Sequence, residues 1–215
     1  MRENVIRLQA ALDMYALEDA VRAAQNLVDV VDILEVGTPL LLSAGLQAVR
    51  RIRETARDIP LVVDAKIMDG GYSAARHAFG AGADIVTVLG AAADETVAET
   101  MRAAESAGGK IMVDLINVPD PGARIRRLAG LGAHCFLLHL PSDLAVRGGQ
   151  FDGPEHGAEL VQYEVAVAGG LNADNLGIIL PLKPQIVIVG SAIYKAHDPR
   201  AEALKIKRRL MELEG

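Results

Sequence analysis

Residues 61–89 read LVVDAKIMDGGYSAARHAFGAGADIVTVL and contain two short apolar runs on either side of a segment with helical spacing. The runs Leu61–Lys66 and Asp84–Leu89 are rich in Val, Ile and Leu, which is typical of strands buried on both faces. The segment Ser73–Gly80 between them has the period of a helix. This order predicts a β-α-β unit with parallel strands, because parallel neighbours need a crossover connection.

The same unit recurs along the chain. Eight apolar runs predict eight strands, at Leu8–Asp13, Asp32–Val36, Leu61–Lys66, Asp84–Leu89, Lys110–Leu115, His134–His139, Glu164–Ala168 and Ile186–Val189. Helical spacing predicts helices at Ala16–Val28, Leu42–Ala56, Ser73–Gly80, Asp94–Ala107, Pro121–Gly130 and Pro199–Leu213. Eight units in 215 residues favour a (β/α)8 TIM barrel, with residues 1–215 as a single domain.

The alternative architecture is an open, doubly wound sheet. Such a sheet usually carries a glycine-rich fingerprint after its first strand, and the run Ala11–Tyr15 contains no glycine. The closed barrel is therefore preferred. The glycine-rich segment Val146–Gly157 is expected to form a long loop after the sixth strand, with little helix behind it.

Composition limits the class of protein. Hydrophobic residues make up 51% and charged residues 23%, as in ordinary globular domains. The net charge of -6 argues against a nucleic-acid partner, which usually requires a basic face. No run approaches the roughly 18 apolar residues of a membrane span. One cysteine, Cys135, cannot form an intrachain disulfide, so we expect a cytoplasmic protein without a membrane partner.

Charged and polar residues mark the predicted strand ends, where TIM barrels build their active sites. Acids stand at four of these ends, and a histidine stands at a fifth: Asp13, Glu35, Asp64, Asp114 and His139. Any one acid could be a structural cap or ion-pair partner, and Asp13 could cap the helix that begins near Ala16. Together they would be costly to bury unless paired or bound to a metal, so they predict an active site. We assign Asp13, and Asn117 after strand five, to substrate binding.

Asp64 and Lys66 are two residues apart, so their side chains should lie on the same face of strand three. The carboxylate would keep the Lys66 ammonium charged and fixed, and Asp69 would extend the network. A lysine in this setting can move a proton beside an enediolate, although a plain structural ion pair is the alternative. His139 is a second candidate for proton transfer, although a lone histidine is more often structural.

Two further features concern ligands. Glu35 and Asp64 end neighbouring strands, and paired carboxylates with open positions for water and substrate suit Mg²⁺. Glycines and a serine follow strands seven and eight, at Gly169, Gly170, Gly190 and Ser191. Barrels often bind phosphate in these two loops through backbone amides. The sequence therefore predicts a magnesium-dependent enzyme that acts on a sugar phosphate.

The run Asp64-Ala65-Lys66-Ile67-Met68-Asp69 resembles the Asp-x-Lys-x-x-Asp motif of the orotidine-5′-phosphate decarboxylase suprafamily. Four other stretches resemble its hexulose-6-phosphate synthase branch: Leu8–Asp13, Glu35–Pro39, Val88–Gly90 and Val113–Val118. The resemblance runs nearly end to end. It implies condensation of formaldehyde with ribulose 5-phosphate, a phosphorylated ketose, through a magnesium-stabilised enediolate, to give a 3-hexulose 6-phosphate.

The resemblance also implies roles for individual residues. Glu35 and Asp64 would hold the Mg²⁺, and Lys66 would be flanked by Asp69 of the partner subunit. We also assign Asp114, at the end of strand five, to the catalytic residues. His139 matches a family histidine proposed for proton transfer. The family forms homodimers with the sites at the subunit interface, so Asp69 would reach into the partner's site.

Two other functions remain open. The sibling 3-keto-L-gulonate-6-phosphate decarboxylase makes the same kind of enediolate by losing CO₂. It carries arginines where this chain has Ser142 and Ser191, which favours the synthase. Orotidine-5′-phosphate decarboxylase itself is disfavoured, because Glu35–Pro39 belongs to the metal-using branch. A non-catalytic barrel that binds sugar phosphates is the third reading, and the retained charged cluster argues against it.

Overall fold

Eight parallel strands close into a barrel in chain order in the computed structural model, which describes residues 5–145, 160 and 162–214. The strands are β1 (Arg7–Leu12), β2 (Ile33–Val36), β3 (Leu61–Ile67), β4 (Ile85–Leu89), β5 (Lys110–Asp114), β6 (Cys135–His139), β7 (Glu164–Ala168) and β8 (Ile186–Val189). Pairing of β1 with β8 closes the ring and excludes the open sheet. The prediction of a (β/α)8 TIM barrel is confirmed.

Helices surround the strands. They are α1 (Leu17–Leu27), α2 (Thr38–Ala44), α3 (Leu46–Thr55), α4 (Gly71–Gly80), α5 (Asp94–Ala107), α6 (Pro121–Ala129), α7 (Ser142–Ala145), α8 (Ser191–Tyr194) and α9 (Pro199–Glu214). A 3-10 helix, Leu176–Leu182, lies between β7 and β8. None of the described helices is long and apolar enough to cross a bilayer.

The helix predicted over Leu42–Ala56 is in fact two helices, α2 and α3. Gly45 separates them with φ 59° and ψ -155°, a backbone conformation that is essentially restricted to glycine. The early start of α2 at Thr38 brings this helix up to the end of β2. The break at Gly45 therefore places a helix beside the predicted active-site rim.

The core has two parts, as strand alternation requires. Inward-facing side chains such as Ile33, Val62 and Met112 fill the barrel interior. Outward-facing side chains pack against the helices in a second, larger cluster. Because the interior is filled below its mouth, only the carboxyl ends of the strands can offer an open site.

The segment after β6 is short in helix. The four residues of α7, Ser142–Ala145, are the only helical turn described there before Leu160. The predicted loop over Val146–Gly157 lies outside the described residues.

Candidate active site

The carboxyl ends of the strands open into a cavity of about 630 Å³. Most of the predicted site residues line it: Asp13, Glu35, Asp64, Lys66, His139, Gly169, Gly170, Gly190 and Ser191. Three predicted residues are not part of the lining, namely Asp69, Asp114 and Asn117. Asp114 lies beneath the lining and is fully buried.

Lys66 is held between two carboxylates. Its Nζ lies 2.9 Å from Asp64 Oδ2 and 2.9 Å from Asp114 Oδ2. Burial by itself lowers the pKa of Lys66, but the charges and hydrogen bonds of Asp64 and Asp114 outweigh burial and leave this pKa above its ordinary value. Lys66 therefore remains an ammonium group that can donate a proton or a hydrogen bond.

Simple strand alternation does not produce this contact. The pairing of β3 with β4 shifts register between Val63 and Ile67, and Lys66 has a positive φ of 44°. Such a conformation costs a non-glycine residue roughly 1–3 kcal/mol. The Lys66 amide N–H donates to Thr87 Oγ1 at 2.9 Å, which helps to hold the strained backbone. The expected ion pair between Asp64 and Lys66 is present, and a bulge in β3 sets the direction of the Lys66 side chain.

His139 shares Asp114 with Lys66. Its Nδ1 lies 3.0 Å from Asp114 Oδ2 and 3.2 Å from Oδ1. Burial works to raise the pKa of Asp114, but the hydrogen bond and charge of His139, followed by those of Lys66, bring this pKa below its ordinary value. An ionised carboxylate only accepts hydrogen bonds, so His139 carries its proton on Nδ1. When the ring is neutral, Nε2 is therefore the nitrogen that can accept a proton.

Two threonines that the sequence analysis missed fix the Asp64 carboxylate. Thr87 Oγ1 donates to Asp64 Oδ1 at 2.8 Å, and Thr38 Oγ1 donates to Asp64 Oδ2 at 2.7 Å. Thr87 occupies an inward position of β4, and a hydroxyl inside the apolar run 85–89 was the available signal. The two bonds leave Asp64 little rotational freedom.

Asp13 does not cap a helix. The residue before α1 is Ala16, and no side chain caps that helix. The Asp13 carboxylate instead lies between the backbones of Gly37 and Gly190, where a Cβ would come within 1.9 Å of Oδ1 and 2.8 Å of Oδ2, respectively. Burial and then the charge of Asp64 raise the pKa of Asp13. Both glycines are therefore needed to admit this acid to the rim.

Glu35 is the most enclosed of the acids that line the cavity, with 6% of its surface exposed. Burial, followed by the charges of Asp64 and Asp13, raises the pKa of Glu35 well above its ordinary value. Among the described residues Glu35 has no ion-pair partner, and its carboxylate accepts a hydrogen bond from Gln9 Nε2. A buried acid of this kind is destabilising unless a cation accompanies it.

The donor set fits a hard divalent cation. Within residues 5–145, 160 and 162–214, no three His, Cys, Asp or Glu side chains group into a self-sufficient metal site. Mg²⁺ does not require one, because it is commonly bound by one or two carboxylates and completed by water and substrate oxygens. Glu35 and Asp64 provide two such carboxylates on adjacent strands, and the excess of negative charge favours a cation there.

The β7–β8 side of the rim is built from backbone. Gly169 and Gly170 have φ of 117° and 67°, and a Cβ on Gly169 would lie 2.2 Å from the Leu140 carbonyl oxygen. Lys195 also lines the cavity on this side, with its Nζ 5.7 Å from the Tyr194 ring centre. Sequence reasoning missed Lys195, because it lies beyond the strand end and reaches the cavity only through the turn of α8.

Asp69 and Asn117 lie apart from these residues. Asp69 is exposed, and its Oδ1 accepts a hydrogen bond from the Gly70 amide at 2.7 Å. Asn117 is exposed in the turn after β5 with a positive φ of 57°, which asparagine tolerates better than most residues. Within this one chain Asn117 is not part of the cavity lining, and its assignment to substrate binding stays a prediction.

Comparisons with known proteins show the family of this chain. The model of the orotidine 5′-phosphate decarboxylase / HUMPS family matches residues 6–206. A 3-hexulose-6-phosphate synthase from Bacillus subtilis is 34% identical, over 96% of this chain and 100% of the relative.

Solved structures extend the agreement to the fold. A 3-hexulose-6-phosphate synthase from Salmonella typhimurium is 40% identical with a TM-score of 0.92, over 97% of this chain and all of that one. A 3-keto-L-gulonate-6-phosphate decarboxylase from Vibrio cholerae is 28% identical with a TM-score of 0.86, over 97% and 98%. By its sequence motifs, its barrel and this match across nearly its whole length, the chain belongs to the orotidine 5′-phosphate decarboxylase / HUMPS family.

Proposed function

We propose that this protein condenses formaldehyde with ribulose 5-phosphate to give 3-hexulose 6-phosphate, and catalyses the reverse cleavage. Relatives named 3-hexulose-6-phosphate synthase support an enzyme of the aldehyde-lyase kind. The observation that carries the proposal is the joint placement of Lys66 and His139 on one buried carboxylate, Asp114, at the cavity.

The reaction needs one proton removed and one delivered. A base takes a proton from C1 of ribulose 5-phosphate, and the electron pair moves to the C2 oxygen to give an enediolate. C1 then attacks the formaldehyde carbon, the new C–C bond forms, and the former aldehyde oxygen receives a proton. The former C2 ketone is regenerated as C3 of the hexulose.

Two side chains suit these steps. His139 Nε2 is the base, because Asp114 holds the ring through Nδ1 and stabilises the imidazolium that forms. Lys66 is the acid and hydrogen-bond donor toward the oxygens, because its raised pKa keeps it protonated. The same ammonium stabilises the negative charge that develops on the enediolate.

We further propose that Mg²⁺ is the cofactor and that Glu35 and Asp64 hold it. Bound Mg²⁺ would act as a Lewis acid that lowers the cost of negative charge on the substrate oxygens. Thr38 and Thr87 contribute by holding Asp64 in one orientation. Asp13, between Gly37 and Gly190, is positioned to accept hydrogen bonds from substrate hydroxyls.

The phosphate group is proposed to bind on the β7–β8 side of the cavity, at Gly169, Gly170, Gly190 and Ser191. Glycines at positive φ let backbone amides approach an anion closely. The Lys195 ammonium on the same side would add a favourable charge. Phosphate at this side would leave the carbonyl end of the ketose beside Lys66 and His139.

A homodimer is the proposed assembly, with Asp69 completing the partner's site. Exposed apolar side chains surround the mouth: Tyr15, Leu42 and Met68 are 77%, 82% and 54% exposed. A second copy would cover them, and Asp69 directly follows Met68. The lone, buried Cys135 supports a location in the reducing cytoplasm.

The test is formaldehyde consumption with ribulose 5-phosphate and Mg²⁺, with and without a chelator. Consumption that the chelator abolishes is the expected result. Without consumption, CO₂ release from 3-keto-L-gulonate 6-phosphate would establish the decarboxylase instead. Tight binding of either sugar phosphate without turnover would leave a non-catalytic binding barrel.

A further inference from the structure

Gln9 is an amide inside an apolar layer. It lies on β1 opposite Ile33 of β2 and Ile188 of β8, and it is fully buried. The inward-facing residues around it are aliphatic or sulfur-containing, such as Met112 and Cys135. Toward the mouth lie the inward-facing acids Glu35 and Asp114, and toward the amino ends of the strands lies the ion pair of Arg7 with Glu164.

Only one end of this amide is bonded. Gln9 Nε2 donates to Glu35 Oε2, whereas Gln9 Oε1 is buried without a hydrogen-bond partner among the described residues. An aliphatic side chain of similar size would fill the layer and leave no carbonyl oxygen unpaired. Packing alone therefore does not account for a glutamine at this position.

The hydrogen bond from Gln9 to Glu35 explains why a glutamine is found at this position. Glu35 emerges one layer above Gln9, in register with Ala11, and its described partner is this one amide. A donor on Oε2 fixes the plane of the carboxylate and leaves Oε1 for a ligand in the cavity. Asp64 is held in the same way by Thr38 and Thr87, so each of the two neighbouring acids has its own neutral donor.

We propose that Gln9 is a positioning residue, which orients Glu35 so that its free oxygen is presented to a divalent cation in the cavity. The inference rests on the proposed function, because it takes Glu35 as a metal ligand. Hydrogen-bonding partners of metal ligands typically contribute about 10- to 100-fold to metal affinity. Gln9 acts through Glu35 and does not itself meet substrate.

The experiment is Mn²⁺ binding, by calorimetry and electron paramagnetic resonance, to the purified protein without substrate. Gln9→Met should weaken the affinity for Mn²⁺ by about 10- to 100-fold. Gln9→Met removes the unpaired Gln9 oxygen, which is stabilising, and the donor to Glu35, which is destabilising, so the melting temperature should stay near that of the wild type. Turnover should return at saturating Mg²⁺, so the loss is one of metal affinity and not of the maximum rate.

Met112→Leu is the matched control, because it changes another fully buried side chain of the barrel interior and removes no hydrogen-bond donor. Its Mn²⁺ affinity should equal that of the wild type. If Gln9→Met does not fold, the shorter Gln9→Leu is measured with the same expectation.

An unchanged Mn²⁺ affinity in a folded Gln9 variant would overturn the inference, and a lower melting temperature alone would make the role structural. Wild-type protein that consumes formaldehyde but binds no divalent cation would overturn this inference and the assigned cofactor together. A wild type that binds Mn²⁺, with an affinity that Gln9→Met weakens, but consumes no formaldehyde would overturn the synthase assignment alone.

Discussion

One side of the cavity rim is formed by charged side chains, and the other side is formed largely by the backbone of glycines. From β1 to β6 the rim presents charged side chains, with Lys66 between Asp64 and Asp114 and with Glu35 nearby. On the β7–β8 side, the strands end instead in glycines whose backbones approach the cavity. On the charged side, removing a charge or a hydrogen-bond donor should impair turnover or cation binding. On the β7–β8 side, adding a Cβ to a glycine should impair substrate binding.

The largest loss of turnover is expected on the charged side of the rim, from Lys66→Ala. Turnover of ribulose 5-phosphate and formaldehyde should fall by about 100- to 10,000-fold, because the acid that serves the reacting oxygens is lost. Asp64 keeps Thr38 and Thr87, so the barrel should remain folded with a lower melting temperature. Steady-state kinetics and circular dichroism check the two expectations.

Lys110→Ala, an exposed lysine at the start of β5, is the control for loss of a positive charge. It should keep full turnover. Undiminished turnover of Lys66→Ala would remove Lys66 from the mechanism and return the cluster to a structural role.

The next effect is expected from Glu35→Gln. The Mg²⁺ concentration for half-maximal turnover should rise by about 10-fold or more, because one of two proposed ligands loses its charge. Without cation, the variant should melt at a higher temperature, since burial and the charges of Asp64 and Asp13 oppose ionised Glu35. Metal titration and thermal melts measure these shifts.

Glu105→Gln, at an exposed acid of α5, should change neither value. A Glu35→Gln enzyme with the wild-type Mg²⁺ requirement would place the cation at other residues.

A smaller effect is expected on the backbone side, from Gly169→Ala. The KM for ribulose 5-phosphate should rise, because a Cβ would collide with the Leu140 carbonyl oxygen and shift the loop. The positive φ of 117° adds a stability loss of roughly 1–3 kcal/mol. Kinetics and chemical denaturation separate the two consequences.

Gly132→Ala sharpens the comparison. Gly132 has a similar φ of 107°, but nothing lies within 4 Å of a Cβ there. It should lose stability and keep the wild-type KM. If both variants changed KM equally, the loop after β7 would have no special contact with the phosphate.

The smallest effect is expected on the free energy of unfolding at acidic pH, from Asp114→Asn. Hydrogen bonding to His139 and Lys66 holds the pKa of Asp114 below its ordinary value of 3.8 in the folded protein. A lowered folded-state pKa gives stability that is complete above about pH 5 and is lost as pH falls through the folded-state value. Asp114→Asn should therefore flatten the fall in free energy of unfolding between about pH 5 and pH 2. An equally steep fall would show that other carboxylates cause it.

The acids and the glycines of the rim were readable from the sequence, and the neutral residues that hold the acids were less so. Asp13, Glu35 and Asp64 stand out because charges interrupt apolar runs, and parallel strands must bring their carboxyl ends together. Neutral partners such as Gln9 and Thr87 stand out less, although Gln9 shares the inward parity of Asp13 on β1. Lys195 had no local signal, because only the fold brings it to the cavity.

Local backbone conformation was the second feature that the sequence did not predict. The sequence predicts that Asp64 and Lys66 meet, but not that Lys66 has a positive φ, because only the register between β3 and β4 imposes it. Gly45 within the predicted helix Leu42–Ala56 was a signal for a break, and helical periodicity obscured it. Asn117 was assigned to substrate binding because it follows strand five closely, and the sequence did not indicate that it has a left-handed backbone outside the lining of the cavity in this one chain.

The bulge in β3 also bears on how this barrel can be redesigned. Val63 pairs with Val86 and Ile67 with Val88, so three residues of β3 face one residue of β4. The interval 64–66 is therefore released from the ladder that sets the barrel's shear. We therefore expect that catalytic side chains within this interval can be exchanged while the strand pairs before and after it keep their register.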